Sequence, residues 1–117
     1  SWLRDLLNER LPESAHRSFP DVLAAAEEAA PGAGALFCLP FFAGERSPHW
    51  NLDARALFFG MTLEHGVAEM ARALLEGIAF RFRSVSELLA TAGVEVAYPT
   101  SVFTAWTQLP DSKWAAE

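Results

Sequence analysis

The chain has 117 residues, of which 51% are hydrophobic, and a formal net charge of −6. That length fits one modest domain or part of a larger one. The acidic balance excludes the basic surface on which nucleic-acid binding depends. The apolar share can build a core and still leave apolar surface for a partner.

Cys38 is the only cysteine, so the chain cannot form an intrachain disulfide. It stands in an apolar run, where we interpret it as a buried, small hydrophobe in a protein of the reducing cytoplasm. Charged residues interrupt the N-terminus, which argues against a signal peptide. The apolar stretch 35–43 is far shorter than the ~20 residues that span a membrane. We therefore predict a cytoplasmic protein without a membrane partner.

Two helices are predicted in the first 30 residues. Ser1 can cap a first helix over residues 2–9. Pro20 suits the first turn of a second helix, which we expect to run from Ser18 to Ala29.

Short apolar or alternating segments predict strands. Residues 35–39 form a continuous apolar run between breakers and predict a fully buried strand. Residues 56–61 are either a second short strand or an apolar turn. Alternation predicts a further strand at 94–98, and residues 103–117 have the composition of a terminal helix.

A long amphipathic helix is predicted from about Leu63 to Ala92, with Thr62 as its N-cap and Gly93 at its end. Apolar residues recur in it at three- and four-residue spacing: Val67, Met70, Ala71, Leu74, Ile78, Phe82, Val85 and Leu89. Charged residues are expected on the opposite side: Glu69, Arg72, Glu76, Arg83 and Glu87. The small residues Ala73 and Gly77 would let another backbone approach closely, as in ordinary helix packing.

Residues 44–55, here called the GER loop after Gly44-Glu45-Arg46, concentrate polar side chains between two apolar segments. Such loops on rigid neighbours often carry binding residues, and arginine suits phosphate or carboxylate. A purely structural alternative stays open: Asp53 and Arg55 would pin the loop, and Glu45 with Arg46 would form a solvated pair. The histidines are too isolated to predict a metal site, and no catalytic triad or Walker loop is present.

The sequence resembles the FGGY carbohydrate kinases, especially their gluconokinase and xylulokinase branches, over about residues 1–98. The segment LPFFAGERSPHWNLDARA is similar to the family's LP-GER-P-AR segment, and residues 2–5 resemble its W-L-R-D helix. Its second signature is matched by these residues: Ala56, Phe58, Gly60, Met61, Glu69, Met70, Ala73, Leu75 and Glu76.

The resemblance implies an α/β fold, with residues 1–117 as a fragment of the C-terminal, nucleotide-binding domain. That domain is ribonuclease H-like, as in actin-like ATPases, and here contains the long helix. The parent enzyme would use ATP and Mg²⁺ to phosphorylate a sugar or sugar acid of the gluconate or xylulose class. Ser1 maps near the nucleotide, and Glu45, Arg46 and Asp53 would shape the site at the domain interface.

The family's catalytic Asp and its N-terminal domain are not in this sequence, nor are the two glycines expected before Trp106-Thr107-Gln108. Two alternatives are open for these glycines: their loop is lost, or residues near Ser101 and Val102 are omitted from the sequence. We therefore expect no catalytic residue here, no tight cofactor binding and no activity of the isolated chain. Its partners would be the N-terminal kinase domain and, in the full enzyme, a sugar. The alternative is a non-catalytic, self-associating interaction module or a degenerate remnant of such a kinase, and a homo-oligomer is expected.

Overall fold

The computed structural model describes residues 2–47 and 49–95. Three helices and two short strands follow in the order α1 (Trp2–Asn8), α2 (Phe19–Glu28), β1 (Phe37–Leu39), β2 (Leu57–Phe59) and α3 (Val67–Thr91). Single 3-10 turns lie at Glu13–Ala15 and Ala33–Ala35. The predicted strand at 94–98 runs out of the described residues, and Ser1 and the predicted helix at 103–117 lie outside them.

The second helix begins as its local sequence predicts. Ser18 is the N-cap, and its hydroxyl accepts a hydrogen bond from the Asp21 N–H at 3.3 Å. The Asp21 carboxylate in turn accepts from the Ser18 N–H at 2.7 Å. The Ser18 hydroxyl, followed by the Ser18 N–H, holds the pKa of Asp21 below its ordinary value. This reciprocal capping box satisfies donors that a helix start leaves open.

The long helix begins at Val67, four residues later than predicted, and Thr62 is not its cap. The His65 ring explains the delay, because its Nδ1 accepts from the Thr62 N–H at 2.9 Å while its Nε2 lies 2.8 Å from the Gly34 carbonyl oxygen. Residues 62–65 are thereby held as a separate turn against the 3-10 turn at 33–35. The helix is instead capped by Glu69, whose carboxylate accepts from the Gly66 N–H at 2.8 Å, and this bond lowers the pKa of Glu69.

The two strands pair antiparallel, with Cys38 opposite Phe58. The predicted strand at 35–39 is shorter than expected because the 3-10 turn occupies its first part. Only Cys38 is buried in β1, so the prediction of a fully buried strand was wrong. Burial raises the pKa of the Cys38 thiol to about 11, as expected for a cysteine that acts as a small hydrophobe.

The core consists of two clusters on either side of α3. Leu3, Val22, Ala26 and Ala71 join the helices. Ala33, Leu36, Cys38 and Ala73 join α3 to the strand layer, and Met70 and Leu74 pack against both clusters. The third helix is therefore the common support of the described structure.

The buried face of α3 differs from the predicted apolar stripe. Its buried residues are Ala71, Ala73, Glu76, Gly77, Ala79 and Phe80. Ile78 and Phe82, predicted to be on the apolar stripe, are 38% and 44% exposed. The helix is turned so that its small residues meet the strand layer, and part of the predicted stripe faces a groove. Among the described residues no helix is long and apolar enough to cross a membrane.

Gly77 confirms the expectation of a close backbone approach. A Cβ built on it would clash with the Cys38 carbonyl oxygen and would lie 3.2 Å from the carbonyl carbon. The absence of a side chain is what allows β1 to rest directly on α3.

Candidate functional site

The GER loop joins β1 to β2 and is closed by backbone contacts between its two arms. The Glu45 N–H donates to the Asn51 carbonyl oxygen at 2.8 Å. Gly44 has φ +82°, and a Cβ there would lie 2.7 Å from the Leu52 carbonyl oxygen. Both the left-handed backbone and the crossing of the arms therefore require glycine at this position.

Glu45 is the buried centre of this loop, with only 4% of its surface exposed. Its Oε1 accepts a hydrogen bond from Arg81 Nη2 at 2.8 Å, and its Oε2 accepts from the His49 N–H at 3.0 Å. One carboxylate thus ties the loop to α3 and also closes the turn from residue 45 to residue 49. A buried carboxylate whose two oxygens each accept from a donor of the protein acts as an anchor for the loop.

The other two predicted site residues are arranged differently from Glu45. Arg46 and Asp53 are both exposed, and within the described ranges neither side chain forms a hydrogen bond or an ion pair. The solvated Glu45–Arg46 pair considered from the sequence is therefore not present, because Glu45 pairs with Arg81 instead. Arg55 pins the loop as that alternative expected, by donating to the carbonyl oxygens of Leu52 and Ala54 at 3.2 and 3.0 Å.

Arg81 is the residue of this site that the sequence interpretation missed. It donates to Glu45 and to the Ser47 carbonyl oxygen, and its guanidinium lies 5.0 Å from the centre of the Phe41 ring. Its position held a usable indication, since it follows Leu74 and Ile78 at helical spacing on the predicted apolar stripe. A cation on such a face needs a buried partner, and the only buried carboxylate in the described part of the loop is Glu45.

A second buried carboxylate, Glu76, fixes the turn before β1. It is 1% exposed, and its Oε1 accepts from the Gly32 N–H at 2.8 Å and from Arg72 Nε at 3.0 Å. Glu76 and Arg72 were expected opposite the apolar stripe, but the Glu76 carboxylate is buried, because it satisfies the backbone donor of Gly32. This cluster is structural, since it lies inside the core with its carboxylate engaged.

An apolar groove of about 600 Å³ lies beside the GER loop. The rings of Trp2 and Phe42, whose centroids are 4.6 Å apart, stand on its wall and join α1 to the segment after β1. Its polar end is formed by Glu45, Arg46, Ser47 and Arg81. Apolar side chains on it that remain more than a third exposed are Trp2, Phe19, Leu23, Phe42, Leu75, Ile78 and Phe82. These exposed apolar side chains therefore lie together on one surface of the molecule.

Comparisons with known proteins agree on one family. The model of the "FGGY family of carbohydrate kinases, C-terminal domain" matches residues 1–104. A xylulose kinase from Klebsiella pneumoniae is 49% identical over 63 residues, which are 54% of this chain and 13% of that protein. A gluconokinase from Bacillus subtilis is 38% identical over 88 residues, 72% of this chain and 17% of that protein.

Solved structures agree with these relatives. The crystal structure of xylulose kinase from Rhodospirillum rubrum superposes with a TM-score of 0.62 at 38% identity, over 77% of this chain and 17% of that one. The chain therefore spans less than a fifth of the length of the relatives it matches.

Proposed function

Because this chain belongs to the FGGY family of carbohydrate kinases, we propose that it is part of an ATP-dependent enzyme that phosphorylates a sugar or sugar acid of the gluconate or xylulose class. Residues 1–117 would be a segment of the C-terminal, nucleotide-binding domain. The single observation that carries the proposal is the family match over residues 1–104. Xylulose kinase and gluconokinase relatives support the substrate class.

In this proposal the GER loop shapes the site at the interface between the two kinase domains. Glu45 is the internal anchor of the loop, because both of its oxygens are engaged. Arg46 and Asp53 are the side chains it presents, because both are exposed and unpaired among the described residues. Ser1 keeps the nucleotide-side role implied by the family, and it lies outside the described residues.

The described residues do not by themselves fit a complete site for ATP and Mg²⁺. No group of three His, Cys, Asp or Glu side chains within them is arranged to hold a metal ion. The groove beside the GER loop is mainly apolar, and the cations at its end are Arg46 and the already paired Arg81. We therefore assign no step of phosphoryl transfer to this chain and propose that ATP does not bind tightly to it alone.

The family's fold would account for the groove. Membership of the FGGY family implies an actin-like, ribonuclease H-like ATPase fold. The described residues form a small part of it, built from helices and strands. The parent enzyme would place further protein, including an N-terminal kinase domain, against surfaces that are exposed in this segment. The cytoplasm is the proposed location, in keeping with the acidic composition and the unpaired Cys38.

A segment replacement tests the proposal. In the B. subtilis gluconokinase, the matching segment would be replaced by residues 1–95 of this chain. ADP formation by this chimera would then be measured with gluconate and ATP. We expect the chimera to turn over both substrates, with the unaltered gluconokinase as positive control. A chimera that folds cooperatively by circular dichroism but forms no ADP would contradict the proposal. The isolated 117-residue chain is expected to show no turnover.

A second function is favoured by the exposed apolar side chains of the groove. As a separate chain, the protein would associate with itself through these residues and serve as a non-catalytic interaction module, with a symmetric dimer as the expected form. Light scattering across a range of concentrations tests this idea. A stable monomer at every concentration would refute it.

A further inference from the structure

Arg81 lies in α3 on a face that otherwise meets the groove. Its side chain is only 22% exposed, and its neighbours one turn away, Ile78 and Val85, line the groove with it. Removing most of the water from a guanidinium is costly unless the charge is paired and hydrogen-bonded. Loss of the Arg81 contacts should therefore destabilise the structure more than loss of an exposed ion pair within one helix would.

These contacts fall on both sides of one residue of the GER loop. Arg81 Nη2 donates to the side chain of Glu45 and to the carbonyl oxygen of Ser47. Arg46 stands between them, is exposed, and has no partner among the described residues. Glu45 in turn restrains the backbone of residue 49, because its second carboxylate oxygen accepts a hydrogen bond from the His49 N–H at 3.0 Å.

Arginine suits this position better than lysine for two reasons. Its flat guanidinium can lie over the Phe41 ring, as the separation of 5.0 Å to the ring centre shows, while it also donates to two oxygens. A lysine could retain the charge but would lose the flat contact. Without any cation here, the buried Glu45 carboxylate would lose its charged partner, which would destabilise the turn that it closes with the His49 N–H.

We propose that Arg81 is a positioning residue: it fixes the backbone on either side of Arg46 and so presents the Arg46 guanidinium to an oxyanion. That oxyanion would be a phosphate of the nucleotide or the carboxylate of a sugar acid. The inference rests on the proposed function for its ligand, but the restraint on the loop does not depend on it.

The first test measures the restraint in the 117-residue chain by amide hydrogen exchange. Arg81→Met should speed exchange of the His49 amide at least tenfold, and Arg81→Lys should restore part of the protection. The matched control is Arg83→Met, which removes an exposed pair with Glu87 from the same helix and should leave the His49 amide unchanged. Unchanged exchange at His49 in Arg81→Met would overturn the proposal.

The second test measures the consequence for a ligand in the gluconokinase chimera. Arg46→Met should raise one KM, for ATP or for gluconate, by about tenfold, since hydrogen bonds to charged groups are among the stronger ones. The affected substrate identifies the oxyanion. Arg81→Met should raise the same KM, and the double variant should be no worse than Arg46→Met alone, because both changes remove one interaction.

The outcomes separate the two claims. Additive effects of the two substitutions, or faster exchange at His49 with both KM values unchanged, would overturn the positioning role while leaving the kinase proposal intact. An inactive parent chimera would contradict the proposed function, and the exchange experiment would still decide whether Arg81 holds the loop.

Discussion

Replacing Gly77 by alanine separates helix propensity from packing, because the two effects have opposite signs at this position. In an open helix interior, Gly→Ala stabilises by about 1 kcal/mol. At Gly77 the new methyl group would clash with the Cys38 carbonyl oxygen and would lie 3.4 Å from Pro40 Cδ. The clashing atom is backbone, and it belongs to a strand that is paired with β2, so it cannot turn away as a side chain would.

The size of the destabilisation depends on how β1 must move to make room for the new methyl group. Shifting β1 away from α3 loosens the cluster that contains Leu36 and Ala73, both of which are 0% exposed. Overpacking of this kind typically costs about 1–3 kcal/mol. After the propensity gain of about 1 kcal/mol is subtracted, we expect Gly77→Ala to lower the free energy of unfolding by about 0–2 kcal/mol, seen as a melting temperature up to roughly 16 °C lower.

Thermal and urea unfolding, followed by circular dichroism at 222 nm, measure this change. The matched controls are Ser86→Ala and Ser86→Gly, which report the difference between alanine and glycine within the same helix. The free energy of unfolding of Ser86→Ala minus that of Ser86→Gly gives the propensity gain alone. If Gly77→Ala stabilises the chain by that full amount, β1 does not approach α3 closely at Gly77.

Three further outcomes are expected. Gly44→Ala should lower stability by about 1–3 kcal/mol, because it combines a left-handed φ of +82° with contact to the Leu52 backbone; a neutral effect in urea unfolding would count against the crossing of the loop arms. The Cys38 thiol ionises near 9.0 when unfolded and at about 11 when folded, so stability should fall as pH rises between these values, and a Cys38→Ala variant with the same decline would exclude this cause. The folded pKa of Glu69 is below its ordinary 4.5, so its stabilising effect is present above that pH and is lost as the pH falls below it. Glu69→Gln should reduce the loss of unfolding free energy at acid pH, and an unchanged dependence on pH would refute the capping role.

The features predicted correctly from the sequence are those with local causes. The start of α2 follows from Ser18 and Asp21, which are three residues apart and complete each other's hydrogen bonds. The close approach at Gly77 follows from the small residue itself, since few other reasons place glycine inside a long helix. Cys38 is buried, as its apolar surroundings indicate.

The features that were missed depend on partners far along the chain. Glu76 was expected opposite the apolar stripe, and its burial was missed because its acceptor role depends on Gly32, 44 residues away. The partner of Glu45 lies 36 residues away at Arg81, whereas the sequence offered the adjacent Arg46 as the partner of a solvated pair. The helix start was misplaced because His65 binds Gly34, 31 residues earlier, and so holds Thr62 in a separate turn.

The most direct measurement of the central claim is gluconate-dependent ADP formation by the gluconokinase chimera that carries residues 1–95. We expect turnover that requires both ATP and gluconate and that rises to saturation with each. A chimera that melts cooperatively like the unaltered kinase, yet forms ADP no faster than a sample lacking gluconate, would contradict the assignment of this segment to a working sugar kinase.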